Sequence, residues 1–244
     1  MSNCSDFAYS YGKLKQREFE KGVKNMEKRT ALVAGASGLT GSHLIKFLCE
    51  NEAYEKVTII VRQAISYSNP KLTTKIKNLD QVTATDFEGV DDFFCCLGST
   101  MKKAGSKDAF EQVDLMAPVQ MGKYAQAQGA QHMLVISAMG ANPSSSIYYN
   151  RIKGKMEEQI SGLQLPHVSI FRPSLLTGDR REFRLGERFG ALAMKALKTS
   201  FIGPLKKYRA IEAQQVALKK KKKALETPSG TIAIYESETI EEVK

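Results

Sequence analysis

The sequence predicts an α/β fold built on a doubly wound parallel sheet. From residue 29 onwards, short runs rich in β-branched residues alternate with longer amphipathic stretches, which is the pattern of repeated βαβ units. A glycine-rich segment follows the first of these runs, as expected where a strand turns into a helix. The 244 residues are 42% hydrophobic and 25% charged, which is ordinary for a globular domain and excludes wholesale disorder. We therefore expect one domain over residues 29–240, preceded by a basic arm over residues 1–28.

Seven strands and five helices are predicted. The predicted strands are rich in β-branched or aromatic residues and cover 30–34, 56–62, 81–84, 92–96, 132–137, 167–172 and 230–235. The predicted helices have an apolar period near that of an α-helix and cover 41–50, 108–128, 148–161 and 211–225, with a further apolar helix over 189–197. Pro118 falls inside the helix over 108–128, where it should kink the helix or start a new turn.

Composition and spacing argue against several classes of function. No window holds the roughly 18 apolar residues that span a bilayer, and the N-terminal stretch lacks the apolar core of a signal peptide, so we expect a cytoplasmic protein without a transmembrane segment. The four cysteines form no C-x-x-C pair and the three histidines are scattered, so we expect no metal site. The net charge of +10 is concentrated in the arm, in 180–209 and in the lysine run 219–223, which argues against nucleic acid as a partner. We expect the lysine run to fray into solvent.

The first predicted strand runs into a glycine-rich turn. Gly35, Gly38 and Gly41 are spaced G-x-x-G-x-x-G, and an apolar-periodic helix follows them. Without Cβ atoms, the backbone N–H groups of such a turn can approach a pyrophosphate, which then lies at the positive end of the helix dipole. Gly41 would also let the helix pack close to the sheet. We therefore expect a Rossmann-type dinucleotide site here; the alternative is a glycine-rich turn that serves packing alone.

The residue at the end of the second strand bears on the choice of dinucleotide. Arg62 stands about twenty residues after the turn, where an NAD enzyme usually has an acidic residue that holds the ribose 2′-hydroxyl. An arginine instead pairs with a 2′-phosphate. The sequence therefore favours NADP(H) over NAD(H), and the alternative is an exposed strand-end arginine without a ligand.

A second group of residues follows the fifth predicted strand. Tyr149 and Lys153 form a Y-x-x-x-K motif on the helix over 148–161, and a spacing of four places both on one helix face. A tyrosine normally titrates at about 10, so a neighbouring cation such as Lys153 is needed to favour the phenolate near neutral pH. Ser137, at the carboxyl end of the strand, can hydrogen-bond a substrate carbonyl. These residues predict a catalytic group, and the alternative is a surface helix pair.

Five ordered segments resemble the short-chain dehydrogenase/reductase superfamily. They are AGASGLTG at 34–41, FFCCLG at 93–98, VISAMGA at 135–141, YNRIK at 149–153 and FRP at 171–173. Within the superfamily they are similar to the atypical branch of the HIV Tat-interacting oxidoreductase-like proteins and their bacterial relatives. The resemblance covers about residues 29–240 and implies a Rossmann fold that binds NADP(H), in which the region beyond about residue 174 closes over the substrate.

The resemblance also implies roles for individual residues. Tyr149 and Lys153 match the catalytic pair. The implied cofactor-binding residues are Gly35, Ser37, Gly38, Leu39 and Thr40 around the phosphates, Arg62 at the 2′-phosphate, Asp86 at the adenine end, Cys96, Leu97 and Gly98 in the loop beneath the cofactor, Lys153 at the nicotinamide ribose, and Pro173 beside the nicotinamide. Two positions depart from the pattern. Ala138 stands where relatives often have a second serine after Ser137, with the serine run 144–146 as an unaligned substitute, and Asp114 stands where the superfamily often has asparagine.

Two functions from different classes follow from these residues. The first is an NADP(H)-dependent oxidoreductase that transfers a hydride to or from a small carbonyl or alcohol substrate, with Tyr149 as the proton donor. The second is an NADP(H)-binding regulatory or scaffold protein with little or no catalysis, suggested by the two departures and by the basic surfaces. Sugar-nucleotide epimerisation is disfavoured because the C-terminal region is short. The sequence leaves a homo-oligomer open.

Overall fold

The computed structural model describes residues 28–178, 209–226 and 230–241 and has the expected α/β class. The strands are β1 (Arg29–Ala34), β2 (Tyr54–Val61), β3 (Leu72–Ile76), β4 (Asp92–Cys95), β5 (His132–Ile136), β6 (His167–Arg172), β7 (Leu176–Thr177), β8 (Ile211–Glu212) and β9 (Ile232–Glu236). The helices are α1 (Leu39–Cys49), α2 (Met101–Ala104), α3 (Lys107–Glu111), α4 (Ala117–Ala127), α5 (Tyr148–Ser161), α6 (Ala213–Leu225) and α7 (Ser237–Glu241).

Seven of the described strands form one parallel sheet, in the order β3-β2-β1-β4-β5-β6-β9. Its central strands are buried on both faces because helices cover both sides. Leu32 and Val33 are neighbours in β1, point to opposite faces and are both 0% exposed. Leu32 packs in a core with Ile152 of α5, whereas Val33 packs in a second core with Leu44 of α1 and Val216 of α6. This two-sided burial explains the continuous apolar runs of the strands.

The connections reverse direction beside β1. β1 pairs with β2 on one side and with β4 on the other, so the chain winds outwards in both directions from this point. In open α/β sheets, ligands bind in the crevice beyond the carboxyl ends of the strands where the order reverses. The loops after β1 and β4 therefore border the expected cofactor site.

The strand expected at 81–84 is wrong. Leu72–Ile76 forms β3 instead, whereas Gln81 ends one 3₁₀ turn and Ala84 begins the next. β3 is an edge strand with exposed Thr73 and Thr74, so it carries no continuous apolar run that a sequence pattern could detect.

The helix predicted over 108–128 consists of three successive parts. α3 passes through a π-helical turn at Gln112–Met116 and continues as α4. Pro118 lies in the first turn of α4, which confirms the expected new turn at this proline. A π-helical turn contains one residue more than a regular α-helical turn, and this turn carries Asp114.

The C-terminal part differs from expectation in the lysine run. Lys219 and Lys220 of α6 are only 8% and 0% exposed, so the prediction that the run frays into solvent is wrong for these two residues. The helix predicted over 189–197 and the arm before residue 28 lie outside the described residues. None of the described helices is long and apolar enough to cross a membrane. Over the same ranges, no group of three or more acidic, histidine or cysteine side chains is placed to hold a metal ion.

Candidate cofactor and active site

Two glycines of the turn between β1 and α1 are required by close backbone packing. Gly35 has a φ of +81°, and a Cβ on it would lie 2.6 Å from the carbonyl carbon of Cys96. A Cβ on Gly41 would lie 2.2 Å from the carbonyl oxygen of Gly35. Any side chain at either position therefore collides with backbone atoms that have little freedom to move. The turn is therefore packed between α1 and the loop that follows β4.

The N-terminus of α1 has the properties of an anion site. Gly38 is its N-cap residue, and no side chain caps the helix. The first N–H groups of a helix have no intrahelical partner and carry the positive end of the dipole. Ser37 and Gly38 are exposed, and among the described residues a Cβ on Gly38 would meet only the carbonyl oxygen of Gly35, at 3.2 Å. Leu39 and the buried Thr40 follow in the first turn. This cradle fits the pyrophosphate of a dinucleotide.

The loop after β4 connects this turn to the expected catalytic residues. The N–H of Cys96 donates to the carbonyl oxygen of Ala34 at 2.8 Å, which keeps the loop beside β1. Leu97 and Gly98 follow. A Cβ on Gly98 would lie 3.6 Å from Asp114 Oδ1 and 3.9 Å from Lys153 Nζ. The predicted cofactor loop and the predicted catalytic lysine therefore lie side by side.

Lys153 forms a buried ion pair with Asp114. Its Nζ lies 2.7 Å from Asp114 Oδ1, and both side chains are almost wholly buried. The backbone N–H of Ser99 donates to the other carboxylate oxygen at 2.8 Å. Burial alone would lower the pKa of Lys153, but the charge of Asp114, together with smaller effects from Tyr149 and Cys95, raises it above its usual value. Lys153 is therefore a permanent ammonium whose direction is set by Asp114.

Tyr149 lies half-buried on the same helix as Lys153. Its ring packs against that of Phe110, with the two ring centres 5.6 Å apart. The pKa of Tyr149 is raised: burial raises it most, Lys153 lowers it, and Asp114 raises it again. Lys153 thus acts on the pKa of Tyr149 in the expected direction, but burial outweighs its effect, and Asp114 adds to the rise. The phenol therefore stays protonated near neutral pH.

Ser137 and Pro173 lie where β5 and β6 end. The Ser137 hydroxyl is buried, and the described part of the chain offers it no hydrogen-bond partner. Its N–H donates to the carbonyl oxygen of Phe171 at 2.7 Å, and the N–H of Met139 donates to the carbonyl oxygen of Pro173 at 3.0 Å. The two loops are thus held together. Ala138, which lies between Ser137 and Met139 in the sequence, is 8% exposed and offers no hydroxyl.

The two residues that are predicted to bind the adenosine end of the cofactor lie in different surroundings. Arg62 is exposed and follows the last residue of β2. Asp86 is 5% exposed and accepts hydrogen bonds from Lys75, Lys77 and the N–H of Thr83. Burial acts to raise the pKa of Asp86, but these hydrogen bonds outweigh it and lower the pKa to about 2. Asp86 thus has a structural role between β3 and a 3₁₀ turn, and its contact with adenine stays a prediction.

Sequence reasoning missed the roles of two residues. Asp114 was noticeable only as a departure from asparagine, and its pairing with Lys153 depends on the π-helical turn. Lys220, whose Nζ reaches the end of β4, lies within five consecutive lysines. Such a run must place lysines on every side of a helix, which was the available signal that one of them faces inward.

The position of the uncapped helix at the point where the strand order reverses defines the class: this is a dinucleotide-binding Rossmann protein. Comparison with known proteins gives the family. A family model described as NAD(P)H-binding matches residues 35–194, and the chain belongs to this family.

Relatives support the same assignment. Protein HTATIP2 of Rattus norvegicus is 36% identical over 168 residues, which are 66% of this chain and 69% of the relative. The mitochondrial protein FMP52 of Candida glabrata is 34% identical over 170 residues, covering 66% and 70%. These matches confirm the resemblance to the Tat-interacting oxidoreductase-like proteins.

Solved structures share the fold. MoeE5 in complex with UDP-glucuronic acid and NAD has a TM-score of 0.65 at 15% identity and covers 84% of this chain and 75% of its own. The oxidoreductase ylbE from Lactococcus lactis has a TM-score of 0.52 at 19% identity, covering 62% and 71%. At these identities the similarity concerns the fold alone.

Proposed function

We propose that this protein is an NADP(H)-dependent oxidoreductase of the short-chain dehydrogenase/reductase type, acting on a small carbonyl or alcohol substrate. The observation that carries the proposal is the buried ammonium of Lys153 beside Gly98, in the loop that packs on the dinucleotide turn. A lysine is almost never fully buried unless it is paired, and here the pair lies beside the loop that the dinucleotide turn packs against. When bound, the nicotinamide ring supplies or accepts the hydride.

Tyr149 acts as the proton donor. A phenol whose pKa is raised is protonated at neutral pH, so it can donate a proton to the oxygen of a carbonyl that is being reduced. The same rise in pKa keeps the fraction of phenolate, the form that would accept a proton from an alcohol, low at neutral pH. The buried Ser137 hydroxyl, with no partner among the described residues, is available to donate a second hydrogen bond to that oxygen.

Lys153 and Asp114 position the reacting groups. An ammonium has three N–H donors, and one is directed at Asp114. The remaining donors are available to the ribose hydroxyls of the nicotinamide nucleotide and to the hydroxyl of Tyr149. Asp114 fixes the lysine head group and keeps its charge in place at any pH near neutrality.

Arg62 selects NADP(H) over NAD(H). It is exposed at the carboxyl end of β2 and can make charge-assisted hydrogen bonds to a 2′-phosphate. The test is thermal stabilisation by each dinucleotide. At about 100 times the dissociation constant, NADPH should add about 2.7 kcal/mol to the free energy of unfolding, and NADH at the same concentration should add less. Arg62→Ala should remove the difference. The matched control is Lys56→Ala, an exposed cation near the other end of β2; equal effects of both dinucleotides on the wild type would contradict the preference.

Turnover is tested with Tyr149→Phe. Loss of a positioned proton donor should lower turnover roughly 10²- to 10⁴-fold, while the affinity for NADPH changes little. Tyr148→Phe is a matched control, because Tyr148 also packs against Phe110 but its hydroxyl donates to Glu111 at 2.7 Å. This control should keep its activity. A Tyr149→Phe variant with wild-type turnover would contradict the assignment of Tyr149 as the proton donor.

A second candidate is an NADP(H)-binding regulatory or scaffold protein with little or no catalysis. The specific observation in its favour is that Asp114 opposes the effect of Lys153 on the pKa of Tyr149. Ala138, in place of a second serine, removes another donor. Both candidates predict dinucleotide binding. A wild type that binds NADPH but turns over no member of a broad carbonyl and alcohol panel selects the second.

Cellular location and assembly stay predictions. We expect a cytoplasmic protein, whereas the yeast relatives carry the word mitochondrial in their names. Fractionation of cells that produce the full chain distinguishes the two locations. A homo-oligomer is tested by light scattering.

A further inference from the structure

Lys220 of α6 is a fully buried lysine outside the catalytic group. Its side chain is 0% exposed and is among the largest wholly buried side chains of the described residues. The Nζ lies 6.0 Å from the ring centre of Phe94 and 5.8 Å from that of Phe171. These two rings belong to the core on the α1 and α6 side of the sheet. Lys220 thus places a charged group where an apolar side chain would ordinarily pack.

The polar contacts of Lys220 do not include an opposite charge. Its Nζ donates to the carbonyl oxygen of Cys95 at 3.0 Å and to Cys96 Sγ at 3.3 Å. No carboxylate of the described residues lies within ion-pair distance of it. Two of its three N–H donors are therefore used, and no acidic side chain among the described residues compensates its charge. A buried cation without a partner opposes folding unless an anion balances it.

The ammonium lies beneath the dinucleotide turn. Cys95 is the last residue of β4 and Cys96 follows it, and the carbonyl group of Cys96 is the group that a Cβ on Gly35 would strike. The lysine head group and the turn thus both contact Cys96, the lysine through its Sγ and the turn through its backbone. α6 also packs against α1, whose N-terminus forms the anion cradle. The buried charge therefore lies on the inner side of the turn whose exposed side, at Ser37 and Gly38, is expected to hold the pyrophosphate.

We propose that Lys220 is a positioning residue for the dinucleotide, whose positive charge is balanced by the pyrophosphate when the cofactor binds. A charge acts strongly across a packed interior because little solvent screens it. Lys220 also holds the end of β4 through the Cys95 carbonyl, which fixes the loop that supports the cofactor. The proposal depends on dinucleotide binding and not on NADP preference or turnover.

The test compares cofactor affinity with the stability of the ligand-free protein. Lys220→Met removes the charge and keeps the volume, and should weaken binding of NADH and NADPH by about tenfold each, equivalent to about 1.4 kcal/mol. The ligand-free protein should be as stable as the wild type or more stable, because an uncompensated buried charge has been removed. Lys222→Met is the control, since Lys222 is an exposed lysine of the same run. Titration calorimetry and urea unfolding give the two quantities.

Lys220→Gln separates charge from hydrogen bonding. Its amide can still donate to the Cys95 carbonyl but carries no charge, so it should bind both dinucleotides as weakly as Lys220→Met. Should Lys220→Met fail to fold, the glutamine variant decides. Wild-type affinity in Lys220→Gln, or in a folded Lys220→Met, would overturn the proposal and leave Lys220 a purely structural residue.

Discussion

His132 makes the stability of this protein depend on pH below neutrality. It is the first residue of β5, is 2% exposed, and its Nε2 lies 2.8 Å from Ser169 Oγ. Burial, then the charges of His167 and Arg29, lower the pKa of His132 from 6.5 to about 3. In the unfolded chain the imidazole takes up a proton at its ordinary pKa, whereas in the folded protein it stays neutral. Between these two pKa values the unfolded state binds more protons, so lowering the pH favours unfolding.

The size of the effect follows from the shift. A pH of 5 is 1.5 units below the pKa of 6.5 of the unfolded imidazole, which is then protonated, whereas the folded imidazole is still neutral. At about 1.4 kcal/mol per pH unit, the free energy of unfolding is therefore about 2 kcal/mol lower at pH 5 than at pH 7.5. His132→Gln keeps a donor near Ser169 and removes the titration. Urea unfolding of both proteins at pH 7.5 and pH 5 should show the wild type losing about 2 kcal/mol more than the variant.

A neighbouring carboxyl contributes with the opposite sign and cancels in this comparison. Burial raises the pKa of Asp92 to about 7, although Arg29 and Tyr54 act to lower it. Asp92 is the partner of His132 between β4 and β5 and is present in both proteins. Its protonation therefore affects the two unfolding curves alike. His43→Gln on α1 is the control and should follow the wild type. Equal losses in wild type and His132→Gln would refute the reasoning.

Two further substitutions test the turn and the adenosine side. Gly41→Ala should lower the free energy of unfolding by about 3 kcal/mol and abolish NADPH binding, because its Cβ would lie 2.2 Å from the Gly35 carbonyl oxygen. Thermal unfolding measures the loss. Gly162→Ala, whose Cβ would have its nearest neighbour 3.6 Å away, is the control and should show no loss of stability. Asp86→Asn should cost about 2 kcal/mol at pH 7, because hydrogen bonds from Lys77 and its neighbours outweigh burial and hold the pKa of Asp86 at about 2 against 3.8 when unfolded. That stabilisation is present above the unfolded pKa and is lost as the pH falls through the folded one, so the gap in urea unfolding should shrink by about half at pH 3; a constant gap would contradict the ion-pair assignment.

The parts of the fold that could be predicted are those whose signals are local. β1, the turn and α1 follow one another within about twenty residues, and each carries its own pattern of β-branched residues, glycine spacing or apolar period. The backbone at Gly35 has a positive φ, which favours glycine. The glycine in the sequence therefore indicates that the chain turns there. The same holds for Tyr149 and Lys153, whose spacing on one helix is fixed by helix geometry.

The parts that could not be predicted depend on distant residues. β3 is a strand because the edge of β2 is available for pairing, not because its own sequence is apolar. The raised pKa of Tyr149 arises from burial and from Asp114, 35 positions earlier in the sequence. Lys220 faces inward because the residues around it on α6 pack between α1 and the sheet. Such contacts appear only after the chain has folded.

The π-helical turn at Gln112–Met116 determines which side of α4 faces the sheet. Successive residues of an α-helix are rotated by about 100°, so one extra residue turns α4 by about that angle relative to a straight continuation of α3. Phe110 before the turn and Val119 after it nevertheless both face the same core. Asp114, within the turn, is directed at Lys153. Deleting one residue from the turn would rotate α4 so that its apolar side no longer faces the sheet, and it would also separate Asp114 from Lys153. The packing of α4 and the charge beside the loop after β4 can therefore only change together.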